Sequence, residues 1–199
     1  MGAVEEAELL HKIGRWVVFQ AIKQLAKKRE AGGNARLFIN VSHKVLTDEE
    51  FLPCMSVSLK ASRLASDSIV FQLDENDATS YTKQASQFTK GLHELQIKSS
   101  INHFGCSLNP FNLFKHLTPD IVKLDDSFAN EIEKNEEKRE ELIKIIRSLH
   151  ASGVLTAISG VEGPSTLPVL FMTGINYIQG NYISEPLEEI DYDFSSEGL

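Results

Sequence analysis

The segment Ser100–Phe128, SINHFGCSLNPFNLFKHLTPDIVKLDDSF, holds one full turn of the pattern that decides the fold. It opens on a short apolar run, breaks at Gly105-Cys106, and reaches Asn109-Pro110, where the fixed φ of proline suits a first helical turn. A second apolar run, Asp120–Asp126, then carries one lysine, Lys123. The segment reads as strand, helical connection, strand.

The same unit recurs on both sides. Towards the N-terminus, SIVFQLDE (Ser68–Glu75) is a strand ending in acids, and Asn76 is placed to cap a helix from Ala78 to about Leu95. RLFINVS (Arg36–Ser42) lacks polar alternation, as in a strand covered on both faces. After it, Thr47-Asp48-Glu49-Glu50 has the capping-box spacing, predicting a helix that runs to about Ala65. Val4–Arg29 carries Leu9, Leu10, Ile13, Val17, Ile22 and Leu25 at helical spacing, with a bend expected at Gly14 and Trp16 expected to pack. Towards the C-terminus, EIEKNEEKREELIKIIRSLH is a helix with a solvated charged face. VLTAIS (Val154–Ser159) is strand, Gly163-Pro164-Ser165 opens a helix, and INYIQGNYIS supplies a last strand and turn.

Six strand–helix alternations of roughly 30 residues imply a parallel sheet with helical crossovers. That leaves an open doubly wound sheet or a (β/α) barrel. No G-x-G-x-x-G follows a strand, which weakens the first. Polar residues stand at or near strand C-termini (Asn40, Asp74-Glu75, Asn102, Lys123, Ser159, Gln179), and convergence from many strand ends is how a barrel builds a site. The barrel is the preferred reading. Six strands do not close an eight-stranded barrel, so a preceding segment, a partner or a second copy is expected to cover the gap.

Composition narrows the function. A net charge of −8 argues against sequence-independent nucleic-acid binding. Cys54 and Cys106 lie far apart and read as two small buried or half-buried thiols in a reducing compartment. No apolar run approaches the roughly 20 residues of a membrane span, and the acidic start is no signal peptide, so a cytoplasmic location is expected.

At this point the chain resembles the EAL domains, barrel phosphodiesterases that cut cyclic di-GMP. VEEAELLHKIGRWVVFQA is similar to the family's AEE-x-G-L-I helix, FINVSHKVL to its N-x-S strand and IVFQLDEN to its E-I-T-E strand. INHFGCS occupies the DDFGTG position, IVKLDDSF the lysine strand, AISGVEGPSTL the EGVE turn and GINYIQGNYISEP the QG-x-x-x-x-x-P ending. The resemblance covers essentially the whole chain and implies one EAL-like domain over residues 1–199, a TIM-like barrel lacking its N-terminal strand.

Family chemistry implies two divalent cations held by carboxylates and one amide, which activate water and polarise the phosphodiester. Asn40 matches the amide and Glu75 a glutamate of E-I-T-E, from which Gln72 and Asp74 depart. Asn102 and His103 stand where two aspartates are expected, and Ser159 where the first glutamate of EGVE, a proposed general base, would be. Lys123 and Glu162 are kept. With those carboxylates gone, the resemblance implies no catalytic residue, no metal and no required cofactor. It implies instead a receptor for cyclic di-GMP contacted by Asn40, Glu75, Asn102, Lys123, Val161, Glu162, Gln179 and Pro186. FGCSLNPFNLFKHL, with weaker support from the tail YISEPLEEIDYDF, is most similar to the FimX type of degenerate EAL receptor. That type implies a role in type IV pili and twitching motility, a PilZ-type partner and possible homodimerisation.

Plainer readings stand beside these. Glu75 serves as a helix cap or as a ligand contact, Asn40 as a strand-end cap or a contact, and Lys123 pairs with Asp120 or Asp125 or meets a phosphate. His103 reads as a hydrogen-bonded residue, and Phe104, Phe111 and Phe114 as core beneath the site. Two other functions remain open: a weak Mg²⁺- or Mn²⁺-dependent phosphodiesterase using Asn40, Glu75 and Lys123, and a protein-interaction scaffold without nucleotide binding.

Overall fold

The computed structural model describes residues 2–133 and 135–188, with side chains from Glu8 onward. Among them six strands, β1 (Leu37–Val41), β2 (Ile69–Asp74), β3 (Lys98–Phe104), β4 (Ile121–Leu124), β5 (Leu155–Ile158) and β6 (Tyr177–Ile178), form one parallel sheet. Their spatial order is β1-β2-β3-β4-β5-β6, the chain order. A doubly wound sheet reverses its order at a switch point. Here every crossover steps to the next strand in one direction, as in a (β/α) barrel.

Among the described residues seven α-helices accompany the strands: α1 (Gly2–Glu30), α2 (Phe51–Ala61), α3 (Glu75–Ser80), α4 (Thr82–Glu94), α5 (Asp126–Glu131), α6 (Glu136–Ala151) and α7 (Thr166–Thr173). None is long and apolar enough to cross a membrane. Paired residues of parallel strands point to the same face, so the register separates the two faces of the sheet. One face gives Ile39, Val41, Ile69, Phe71, Leu73, Ile101, Val122, Leu124 and Ile158 to the main core, together with Ile22 and Leu25 of α1, Phe51 and Met55 of α2, and Leu142 and Ile146 of α6. The other face has its own small cluster, Val70, Ile121 and Ala157 with Leu155. Burying so many aliphatic and aromatic side chains, each contributing roughly 1.5–3 kcal/mol, stabilises the sheet against the helices.

Local chemistry moves several expected boundaries. The capping box at Thr47 does not form: the Thr47 hydroxyl donates back to the Lys44 carbonyl, and Arg15 pairs with both Asp48 and Glu50. The helix starts at Phe51 instead, with Pro53 in its first turn where a missing N–H is tolerated. Asp74, rather than Asn76 or Glu75, caps α3, accepting from the Asn76 and Asp77 amides. The single helix expected to Leu95 divides at Tyr81, which leaves helical geometry and stacks on His43 with ring centroids 5.0 Å apart. The charged helix also divides, because Asn135 caps a fresh start, accepting from the Lys138 amide ahead of Glu136 and Glu137. Lys134, within that break, and the tail from 189 lie outside the described residues.

The long first helix is continuous through Gly14. A Cβ there would lie 3.2 Å from Val45 Cγ2, so the glycine serves close approach rather than a bend. The helix buries Val18, Ile22 and Leu25 but leaves Leu9, Ile13, Val17 and Trp16 on the surface, Trp16 at 59% exposure, contrary to the packing expected of them.

Candidate functional site

The register gathers the strand-end residues onto one face. Asn40 pairs with Gln72 and Gln72 with Ser100 in one row, Asp74 pairs with Asn102 in the next, and Lys123 pairs with Ala157. Period-two alternation carries the same face on to Ser159 after β5 and Gln179 after β6. The residues read from sequence as strand-end polars therefore share the face opposite the main core. Gln72, which the sequence showed only as a departure from a motif, is 5% exposed on that face. Alternation within the strand was the available signal.

At Asn102-His103 the β3–β4 register shifts between Ile101 and Phe104, and His103 takes the left-handed φ of 53°. A bulge of this kind re-aims side chains and ends regular pairing. Asn102 faces the site with a buried Oδ1 that has no hydrogen-bond partner among the described residues, and Ser100 Oγ beneath it is likewise unpartnered among them. His103 turns to Asp125, its Nδ1 3.1 Å from Asp125 Oδ2. Burial pushes the Asp125 pKa up, but hydrogen bonds from Ser127, His103 and Cys106 outweigh that and hold it well below the usual carboxylate range. His103 is thus a hydrogen-bonded residue. Phe104 is buried beneath, edge-on to Phe111 and Phe114 with centroids 5.5 and 5.8 Å away.

Lys123 is half-buried at the end of β4. Burial lowers its pKa, and Asp126 pulls in the opposite direction. Neither Asp120 nor Asp125 pairs with it: Asp120 accepts from the Ser99 amide, and Asp125 is taken by His103 and Ser127. Among the described residues the ammonium has no hydrogen-bond or ion-pair partner. A partly desolvated, unpaired cation beside an unpartnered amide oxygen is costly unless a ligand meets it.

Glu75 is fully buried, and both its carboxylate oxygens accept from the loop after β3. Oε2 accepts from the Gly105 amide at 2.7 Å and the Cys106 amide at 3.1 Å, and Oε1 accepts from the Ser107 hydroxyl. Read from sequence as a cap or a ligand contact, it is placed as a clamp that fixes the backbone just beyond Asn102. Val161 is likewise buried; its amide donates to the Gln179 carbonyl at 3.1 Å, and its carbonyl accepts from the Tyr182 amide at 3.1 Å. Gly180 lies against this turn so closely that a Cβ would stand 2.1 Å from the Val161 carbonyl oxygen. The exposed Glu162 carboxylate accepts from the Asn181 side-chain amide at 3.2 Å. Asn40, Gln179 and Pro186 are exposed.

The chemistry of this face can be tested against a hard divalent cation, which wants several charged oxygens. Glu75 has no free oxygen, His103 is tied to Asp125, and Asp74 spends one oxygen on the α3 cap. Among the described residues no group of three or more His, Cys, Asp or Glu is suited to hold a metal ion. Amides and an unpaired ammonium converge instead, so this donor set does not fit two such cations.

This fold, with its strand-end face, is that of one family: the EAL domain profile matches residues 1–186, and the chain belongs to the EAL domain family. It is similar to the solved EAL domain of FimX from Pseudomonas aeruginosa bound to c-di-GMP, at 44% identity and a TM-score of 0.87, over 97% of this chain and 77% of that one. The FimX EAL domain of Xanthomonas citri in complex with c-di-GMP is 25% identical with a TM-score of 0.88, over 98% and 77% of the two chains. The cyclic di-GMP phosphodiesterase PdeR of Escherichia coli is 24% identical over 95% of this chain and 29% of its own. The chain spans about a quarter of the length of the curated relatives it first matches (23%, 29% and 25%).

Proposed function

We propose that this EAL domain is a cytoplasmic receptor that binds cyclic di-GMP without metal and does not hydrolyse it. The observation that carries the reading is that the strand-end face holds a half-buried Lys123 and a buried Asn102 side-chain oxygen, neither with a hydrogen-bond partner among the described residues. A cation in that position complements a phosphodiester. The likeness to a FimX EAL domain bound to c-di-GMP, at 44% identity, supports the same ligand.

In this mechanism Lys123 meets a bridging phosphate of the dinucleotide, and Asn40 and Asn102 bond the adjoining ribose-phosphate. Glu162 and Gln179 accept from and donate to a guanine edge, and Pro186 packs against the base. Glu75 and Val161 contribute by holding the loops in place. Binding then shifts the population towards a surface that a partner reads, which requires that partner to prefer the bound state. A PilZ-type partner and an output in type IV pili and twitching motility extend the same reading.

The competing function is a weak metal-dependent phosphodiesterase, favoured by relatives named as cyclic di-GMP phosphodiesterases. Calorimetric titration with cyclic di-GMP in EDTA, followed by incubation with Mg²⁺ or Mn²⁺ and assay for pGpG, separates them. Binding in EDTA with no product is the expected result. Product formation would overturn the receptor reading, and absence of binding in EDTA would overturn metal independence.

A further inference from the structure

A recess lies between the α3–α4 junction and the connection after β3. Its volume of about 470 Å³ falls within the roughly 300–1,000 Å³ of small-molecule sites. The buried Leu113 lines it with Thr82, Asn109, Asn112, Lys115 and His116. Among the described residues no carboxylate lines it, in a chain with 28 Asp and Glu against 20 Lys and Arg.

Its walls are held from several directions. Pro110 opens the 3-10 turn Pro110–Lys115, and at the exit the Ser86 hydroxyl of α4 donates to the His116 carbonyl at 2.9 Å. Ser107, which also lines the recess, is fixed by its bond to Glu75. Lys115 Nζ donates to Asn112 Oδ1 at 2.9 Å, which steadies the ammonium while leaving two of its three N–H donors for a ligand.

One ammonium stands here with neutral polar groups, an imidazole and the side-chain amides of Asn109 and Asn112, while the lining hydroxyls of Thr79, Thr82 and Ser107 already donate within the protein. A cation would find no counter-charge, and a wholly apolar ligand would leave these donors unpaired. A compact group with several charged oxygens satisfies them together, and lysine serves phosphate as a point charge. We propose that this recess binds the phosphate of a small phosphomonoester, separately from the strand-end face.

The test is titration of the ¹⁵N-labelled chain, without cyclic di-GMP and at constant ionic strength, with inorganic phosphate and with ribose 5-phosphate. Saturable amide shifts centred on Asn109, Asn112, Lys115 and His116 are expected. Lys115→Ala and Asn109→Asp should each weaken binding at least about tenfold, because one removes and the other neutralises the attraction. Both positions are exposed, so both variants retain the fold. Shifts that do not saturate, shifts centred on the lysines of α1, or unchanged affinity in both variants would overturn the site.

Discussion

Replacing Glu75 by alanine tests the clamp that fixes the loop beyond Asn102. The side chain is 0% exposed and accepts from two backbone amides and one hydroxyl. A hydrogen bond to a charged acceptor contributes roughly 1.5–3 kcal/mol, so three sum to several kcal/mol. Part of that returns when the freed loop, whose Cys106 is exposed, bonds to water. A net destabilisation of about 3–5 kcal/mol remains, in line with removing one partner of a buried charged network. For a chain of this size each kcal/mol moves the melting midpoint by roughly 2–4 °C, giving a drop of about 6–20 °C. Glu75→Gln should fall between, at about 1–3 kcal/mol, because its amide offers one acceptor where two are needed. Urea unfolding followed by circular dichroism measures both, and hydrogen exchange should show the Gly105 and Cys106 amides losing protection. If Glu75→Ala unfolds within about 0.5 kcal/mol of the parent with those amides still protected, the clamp is not what holds the loop.

Three further outcomes are expected. Lys123→Met should weaken cyclic di-GMP binding by roughly 10- to 100-fold while preserving or raising stability, since it removes a half-buried unpaired charge; an unchanged Kd in calorimetry would remove Lys123 from the contact set. Gly180→Ala should cost about 2–4 kcal/mol in thermal unfolding, because its Cβ would meet Val161 backbone that cannot yield; a loss under about 0.5 kcal/mol refutes that contact. Partial burial of its sulfur, then a hydrogen bond to Asp125 and repulsion from Asp125, Glu75 and Asp74, push the Cys106 pKa up to about 11. The thiol should therefore react with iodoacetamide at pH 8.5 at least about tenfold more slowly than free cysteine, and a rate equal to glutathione's would contradict it. Because the folded chain holds this proton more tightly, the associated stability is full below the usual thiol pKa and lost as pH rises towards 11, a limb that Cys106→Ser should flatten.

Strand positions were legible because apolar runs punctuated by Gly, Pro and acids survive any tertiary context. Helix starts were less so. Thr47-x-x-Glu50 has the spacing of a capping box, but Arg15, more than thirty residues earlier in the chain, takes Glu50 and Asp48. No local pattern contains that competition. Asn135 shows the opposite: a capping residue lay within an apolar-periodic stretch, and periodicity outweighed it in the reading although the cap decided the break. For the site, strand-end polarity found the face, since period two fixes which side a residue joins. It could not distinguish Glu75, spent on backbone amides, from Lys123, left unpaired. That difference depends on where the loop at Gly105–Ser107 returns, a contact made 30 residues away.

The chain-ordered sheet also shapes how the polypeptide acquires its structure. Neighbouring strands pair residues between 20 positions apart (Ala157 with Tyr177) and 34 apart (Ile121 with Leu155). Every new strand emerging from a ribosome therefore finds its docking edge already made, and no pairing has to wait for a distant part of the sequence. Loop-closure entropy is met in similar modest instalments rather than in one large step. The sheet can grow vectorially, each strand covering the edge left by the last, which limits the time that any one edge is open to another nascent chain.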